Sequence, residues 1–334
     1  MKIGLFCGYD NPQYDYARCF ADQTRLVIEA EALGFDEVWV GERHFNRDGV
    51  CPSILVLLGY LAAATRRIRL GTAMLLLAFR DPIQAAEDIA TLDHLSGGRL
   101  NLGVAKGGAF STQSRHFGVD PDTTRSRALE SVTLINRLLY EDEVRFAGEF
   151  FQVDGLSITP KPLQRPSIPV WIGTTSEEGI RYAAERGLGV MGPSRASVER
   201  VRGVIDAYRA LVPSGDPKLN LARFYHSAPT HEEAVSDVRG FFKRATSRAQ
   251  GVVQSEKLAY APDPDDDALI TRSLIGSYDE VREKIDELRR RLPIRSLLLA
   301  PACLDPDKIS ASLAGFAAHI RPRLAQDAVV RTAL

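Results

Sequence analysis

Short stretches of β-branched and aliphatic residues alternate with longer stretches of helical period from one end of the chain to the other. This alternation constrains the fold more than any other feature, because strand–helix–strand units return the chain to a parallel sheet with the helix on its face. Strands are expected at 2–6, 37–40, 68–72, 100–104, 170–172, 189–191, 221–227 and 296–300. The intervening helical patterns cover 16–33, 53–64, 82–95, 125–140, 177–186, 196–211, 232–246 with 277–292, and 305–324. Pro82 suits a first helical turn, Ser277 with Glu280 forms a capping box, and Gly34 and Gly187 suit left-handed helix ends. Eight strands, each followed by a helix, match a (β/α)8 TIM barrel; a doubly wound sheet usually stops short of eight and carries G-x-G-x-x-G after its first strand, which is missing here. Residues 1–334 are therefore expected to form a single barrel domain.

Two segments depart from the repeat. Residues 144–153, with Ala147-Gly148-Glu149 at their centre, read as a surface hairpin before the fifth strand. Residues 250–271, containing Pro262-Asp263-Pro264-Asp265-Asp266-Asp267, are too polar and acidic to pack and read as a mobile insertion able to act as a lid.

A 45% hydrophobic content with 25% charged residues fits a soluble globular protein, and a net charge of -1 leaves no cationic excess for nucleic acid or an anionic membrane. Cys7, Cys19, Cys51 and Cys303 form no C-x-x-C pair, which suits a reducing cytoplasm. The first residues lack the apolar core of a secretory signal, and apolar runs such as 74–79 are too short to span a bilayer, so the expected location is cytoplasmic.

Barrels place chemistry at the C-terminal ends of their strands. After the second strand, Gly41-Glu42-Arg43-His44-Phe45 sets Glu42 and His44 two apart, on one side of an extended segment. They form either a carboxylate-tuned acid/base pair or an Arg–Glu surface pair beside a packed histidine; spacing alone does not choose. After the third strand, the segment from Gly71 to Leu77 has no acid or base and offers an apolar wall to a flat ligand, or simply core. After the fourth, Lys106 stands beside Gly107 and Gly108, an arrangement suited to a phosphate but common in turns, and no Ser or Thr follows it as in a Walker A loop. After the fifth, Thr174, Thr175 and Ser176 open a helix whose free N–H groups favour an anion, or Ser176 merely caps it. Lys106 and this turn together can clamp one phosphate from two sides. His94 suits a helix C-terminus, His116 can face the pocket, and His226, His231 and His319 read as solvated or capping residues.

These residues resemble the bacterial-luciferase-like flavin monooxygenases along essentially the whole chain. The matching stretches include Gly34-Phe35-Asp36, Trp39 with Glu42-Arg43-His44-Phe45, Arg69-Leu70-Gly71-Thr72 and Asp81-Pro82. Further on come Leu95-Ser96-x-Gly98-Arg99, Phe117-Gly118-Val119-Asp120, Pro160-Lys161-Pro162-Leu163-Gln164-x-Pro166, Pro169-Val170-Trp171-Ile172-Gly173 and Ile275-Gly276-Ser277. The resemblance implies a barrel with FMN over the strand ends, its phosphate held by Lys106, Gly107 and Thr174 to Ser176, with Gly192 also at the cofactor. It implies a non-proline cis peptide bond between Ala73 and Met74 under the flavin ring. It further implies reduced FMN supplied by a separate flavin reductase, dioxygen, a small organic substrate and a homodimer. The chain departs from the family at one point: luciferases read Glu-His-His-Phe after the second strand with the first histidine catalytic, whereas Arg43 stands there and His44 matches the second. Arg43 is a permanent cation, fit to stabilise an anionic intermediate or substrate group but not to shuttle a proton. Related barrels use a deazaflavin for hydride transfer, which makes a deazaflavin-dependent oxidoreductase one alternative; a non-catalytic flavin-binding barrel is the other.

Overall fold

The computed structural model describes residues 1–107, 111–213, 215, 217–256 and 265–324. Its strands are β1 (Lys2–Cys7), β2 (Glu37–Val40), β3 (Arg69–Thr72), β4 (Leu75–Leu76), β5 (Leu100–Ala105), β6 (Val144–Ala147), β7 (Gln152–Leu156), β8 (Val170–Ile172), β9 (Gly189–Gly192), β10 (Leu219–Ala228), β11 (Leu274–Ser277) and β12 (Ile294–Pro301). The helices are α1 (Tyr16–Ala32), α2 (Ile54–Ala64), α3 (Pro82–Leu95), α4 (Ser111–Phe117), α5 (Thr124–Tyr140), α6 (Glu177–Glu185), α7 (Val198–Leu211), α8 (His231–Glu256), α9 (Asp266–Arg272), α10 (Tyr278–Arg291) and α11 (Pro306–Gly315). Strands β1, β2, β3, β5, β8, β9, β10 and β12 pair in parallel in that order, and β12 returns to β1, closing a (β/α)8 barrel.

Pairing of large with small residues sets the barrel interior. Trp39 on β2 lies in register with Gly71 on β3, and Trp171 on β8 with Gly103 on β5 and Gly189 on β9. A Cβ on Gly71 would stand 2.4 Å from the Trp39 ring, and one on Gly189 2.2 Å from Trp171, so these positions are glycine because the neighbouring strand carries an indole. The two indoles meet edge to face at 5.2 Å, with Met191, Ala222 and Leu298 around them. Helices cover the outside with a large apolar cluster.

Helix ends follow local chemistry. Asp81 caps α3, which begins at Pro82, Ser277 and Glu280 form the capping box of α10, and Gly34 and Gly187 take positive φ. The hairpin is β6 and β7, antiparallel and reaching Leu156. Its turn is fastened by Glu130 of α5, whose carboxylate accepts from the N–H groups of Glu149, Phe150 and Phe151 at 2.8–3.0 Å.

Three features differ from the sequence reading. The stretch 250–271 is helical at both ends: α8 runs on to Glu256, and Asp266–Arg272 forms α9, capped by Asp265. The acidic caps that read as loop composition satisfy the first N–H groups of a helix. The connection between them, 257–264, lies outside the described residues. Second, β11 pairs with Tyr225–Ala228 of β10, whereas β9 pairs with Leu219–Leu221, so the barrel opens above β9 and β11 takes its place. Third, β4 pairs with β5 where β3 has left it. Between these pairings the Thr72 hydroxyl donates to Gly103 O at 2.7 Å and accepts from Gly103 N at 2.9 Å, standing in for the ladder. No helix among the described residues is long and apolar enough to cross a membrane.

Candidate active site

The residues at the strand ends divide among three places. The first is a cavity of about 200 Å³ lined by Lys106 after β5, Thr174, Thr175 and Ser176 after β8, and Arg125 near the start of α5. Lys106 and the hydroxyl-rich turn, more than sixty residues apart in sequence, thus share one cavity. Lys106 Nζ lies 3.4 Å from Thr124 Oγ1, and no carboxylate among the described residues forms an ion pair with it. Burial, and secondarily repulsion by Arg125, hold its ammonium below the usual lysine range. Ser176 caps α6 by accepting from Gly179 N at 3.3 Å, and Thr174 Oγ1 accepts from Ser176 N at 3.1 Å. The capping reading of the turn thus holds, and the same turn, at the positive end of its helix, lines the cavity. Gly107 takes a φ of +69°, and a Cβ there would stand 2.6 Å from the Phe79 ring. Gly192 lines a smaller adjoining cleft with Thr174 and Thr175, and Arg200 donates to Thr175 Oγ1 at 3.3 Å.

Arg125 and Arg200 were missed in the sequence. Arg125 left a signal, since a cation in the first turn of a helix opposes the dipole; in the structure it also pairs with Glu178 at 3.8 Å. Arg200 is far from the motif in sequence and left none.

Second is the turn after β2. Glu42 and His44 do point the same way, with His44 Nε2 2.6 Å from Glu42 Oε1. Glu42 is almost wholly buried and is further held by Arg80 Nη2 at 2.9 Å and the Leu76 N–H at 3.1 Å. A buried carboxylate needs such partners. A carboxylate accepts and a guanidinium donates, so a neutral His44 ring would meet Glu42 by donating from Nε2, with Nδ1 as its other nitrogen. The His44 ring stands edge-on to Phe117 at 4.9 Å, and Phe117 stacks on Phe79. His116 is exposed and contacts Phe45. The peptide bond between Ala73 and Met74 is cis, and both side chains pack on the Trp39–Trp171 cluster inside the barrel.

Arg43 points the other way, into the third place: a cavity of about 400 Å³ between the ends of β1, β10 and β12 and helices α1, α8 and α11. Its walls include Phe6, Phe224 and Phe241, with Asp10, Arg195 and Arg244 among the polar groups. The Arg195 guanidinium stands 5.4 Å from the Phe224 ring centre.

The other histidines are structural. His94 closes α3 and bonds Lys161 O at 2.8 Å, His231 meets Glu280, and His319 stacks on Tyr278. His226 corrects the sequence reading: it is buried, with Nε2 3.0 Å from Asp237 on α8, a partner that only the packing of α8 on β10 supplies.

The sequence of residues 1–295 matches the family model for luciferase-like monooxygenases. The chain belongs to this family. An uncharacterized protein of Sinorhizobium fredii is 34% identical over 210 residues, 63% of this chain and 60% of that one. The oxygenase component of the flavin-dependent trigonelline monooxygenase of Acinetobacter baylyi is 24% identical over 306 residues, 85% of each. Among solved structures, the monooxygenase RslO1 from Streptomyces bottropensis superposes with a TM-score of 0.86 at 27% identity, over 97% of this chain and 100% of that one. This family member therefore keeps the luciferase-like barrel along nearly its full length while carrying Arg43 in the turn after β2.

Proposed function

We propose that this protein is the oxygenase of a two-component flavin monooxygenase, taking reduced FMN from a separate reductase and using dioxygen to oxygenate a small organic substrate. The observation that carries the reading is the shared cavity of Lys106, Arg125 and the Thr174–Ser176 turn. Two cations, three hydroxyls and a helix N-terminus form a donor set without an acceptor carboxylate in its lining, which fits a phosphate monoester. Family membership and the "oxygenase component" similar to this chain support the rest.

Bound there, reduced FMN would supply the electrons and the oxygen-reactive ring. Lys106, Arg125, Thr174, Thr175 and Ser176 hold its phosphate, with Gly107 and Gly192 giving the backbone close approach, and Ala73 and Met74 form an apolar wall for the ring. Glu42 orients His44, which holds a proton on Nε2 and serves as the acid/base candidate. Arg43 keeps a fixed positive charge in the larger cavity. A cytoplasmic location and a homodimer complete the reading.

Titration of the purified protein with FMN tests it first. Lys106→Ala is expected to weaken FMN binding about tenfold to a hundredfold, the worth of one or two charge-assisted hydrogen bonds. A reductase-coupled assay should then give oxygen-dependent product that falls in His44→Ala. Equal FMN affinity in Lys106→Ala removes the proposed cofactor site, and turnover that needs a reduced deazaflavin but no oxygen replaces monooxygenation by hydride transfer.

A further inference from the structure

Two opposite charges in the larger cavity lack partners among the described residues. The Arg43 stem lies along the backbone of Gly49, where a Cβ would come within 2.5 Å of Arg43 Cδ, and Arg43 N donates to Cys51 O at 2.8 Å, so the side chain is aimed by its surroundings. Its guanidinium forms no ion pair or hydrogen bond with any described residue, and the same holds for the Asp10 carboxylate. Arg244, on the same wall, is by contrast committed to Asp48 at 2.7 Å and Pro12 O at 3.0 Å, and the outer Arg25 pairs with Asp22 at 3.6 Å. Arg43 and Asp10 stand beyond ion-pair distance of each other yet converge over Gly8. A Cβ built there lies 2.8 Å from Asp10 Oδ2 and 3.5 Å from Arg43 Nη2. The missing side chain keeps the space between them open.

A guanidinium only donates and a carboxylate only accepts. Side by side and unpaired, they complement a ligand edge that carries an acceptor oxygen next to an N–H donor, which is the edge of an amide or lactam. Two hydrogen bonds of ordinary length from such an edge can bridge the space between the two residues. A free carboxylate satisfies Arg43 but is repelled by Asp10; an ester satisfies Arg43 and leaves Asp10 unpaired and desolvated. One wall of the cavity is aromatic, with Phe224 and Phe241 meeting edge to face at 5.5 Å beside Phe6, while Arg195, Arg244 and Asp22 are among its other polar lining groups. Such rings favour a planar unsaturated body.

We infer that the substrate of this site is a planar aromatic amide or lactam, gripped by its donor–acceptor edge between Arg43 and Asp10. This rests on the monooxygenase reading for the reaction but not for the binding. Calorimetric titration of the full chain with 2-naphthamide, 2-naphthoate and methyl 2-naphthoate tests it, with FMN titrated into the same samples. The amide should bind about tenfold or more tighter than either analogue. Arg43→Ala should weaken all three, and the isosteric Asp10→Asn should weaken the amide while strengthening the acid, reversing their order. FMN affinity should stay at the parent value in both variants. The inference is overturned if the parent prefers the acid or ester, if neither variant changes amide binding, or if the amide does not bind. Loss of FMN binding with amide preference intact would instead strike the cofactor reading alone.

Discussion

At the scale of single residues, the chemistry depends on what each charge is paired with. Glu42 and Asp10 are both carboxylates at the barrel mouth, but Glu42 is fixed by three partners including His44, while the Asp10 carboxylate has no ion pair or hydrogen bond with a described residue. His226 shows the same dependence away from the site. Burial lowers its imidazole below the ordinary value, against the opposing pull of Asp237, with Lys308 and Glu233 as the other nearby charges. A base depressed in the folded state takes its proton more readily in the unfolded chain, so protonation favours unfolding. The stability His226 contributes is thus present above the unfolded value of about 6.5 and lost as pH falls from there toward the lower folded value. Thermal midpoints measured between about pH 7 and 5 should fall, and His226→Gln should flatten that slope. A parent midpoint that does not change across this window would contradict the assignment.

At the scale of elements, strands and helices were legible because each carries its own periodicity and caps. The 82–95 helix needed only Asp81, Pro82 and its apolar stripe. Short pieces were not: β4 has two residues and β11 four, too few for a period, and each exists because β5 or β10 offers an unpaired edge. The acidic run at 265–267 misled because aspartate favours both loops and helix starts. The β6–β7 hairpin was legible, but its anchor was not. Glu130→Ala removes the acceptor of three backbone N–H groups and is expected to cost about 2 kcal/mol, measurable by denaturant unfolding. Gly148→Ala should be at least as harmful, because its Cβ would fall 2.1 Å from Glu130 Oε1. Unchanged stability in both would show that the turn holds itself.

At the scale of the whole molecule, barrel closure turns sequence-distant residues into neighbours. The interior tolerates two indoles only because Gly71, Gly103 and Gly189 face them across the ladder. Gly189→Val should therefore cost roughly 3 kcal/mol by overpacking, and it should shift the tryptophan fluorescence, since Trp171 must move. A soluble variant with the parent's stability and emission would disprove this account of the interior. Both cavities are products of the same closure: one joins β5, β8 and α5, the other β1, β10, β12, α1 and α8.

The sequence by itself determined the repeating βα units, their caps, the hairpin and the list of polar residues at strand ends, because these rest on periodicity and on contacts within a few residues. It also carried the family pattern, including Arg43 in place of histidine. Tertiary structure decided the rest: that Lys106 shares its cavity with Ser176 and Arg125, that His226 meets Asp237, and that Arg43 turns away from Glu42 and His44 toward Asp10. Those outcomes depend on which strand ends the closed barrel brings together and how deeply each is buried, and no local pattern in the chain encodes either quantity.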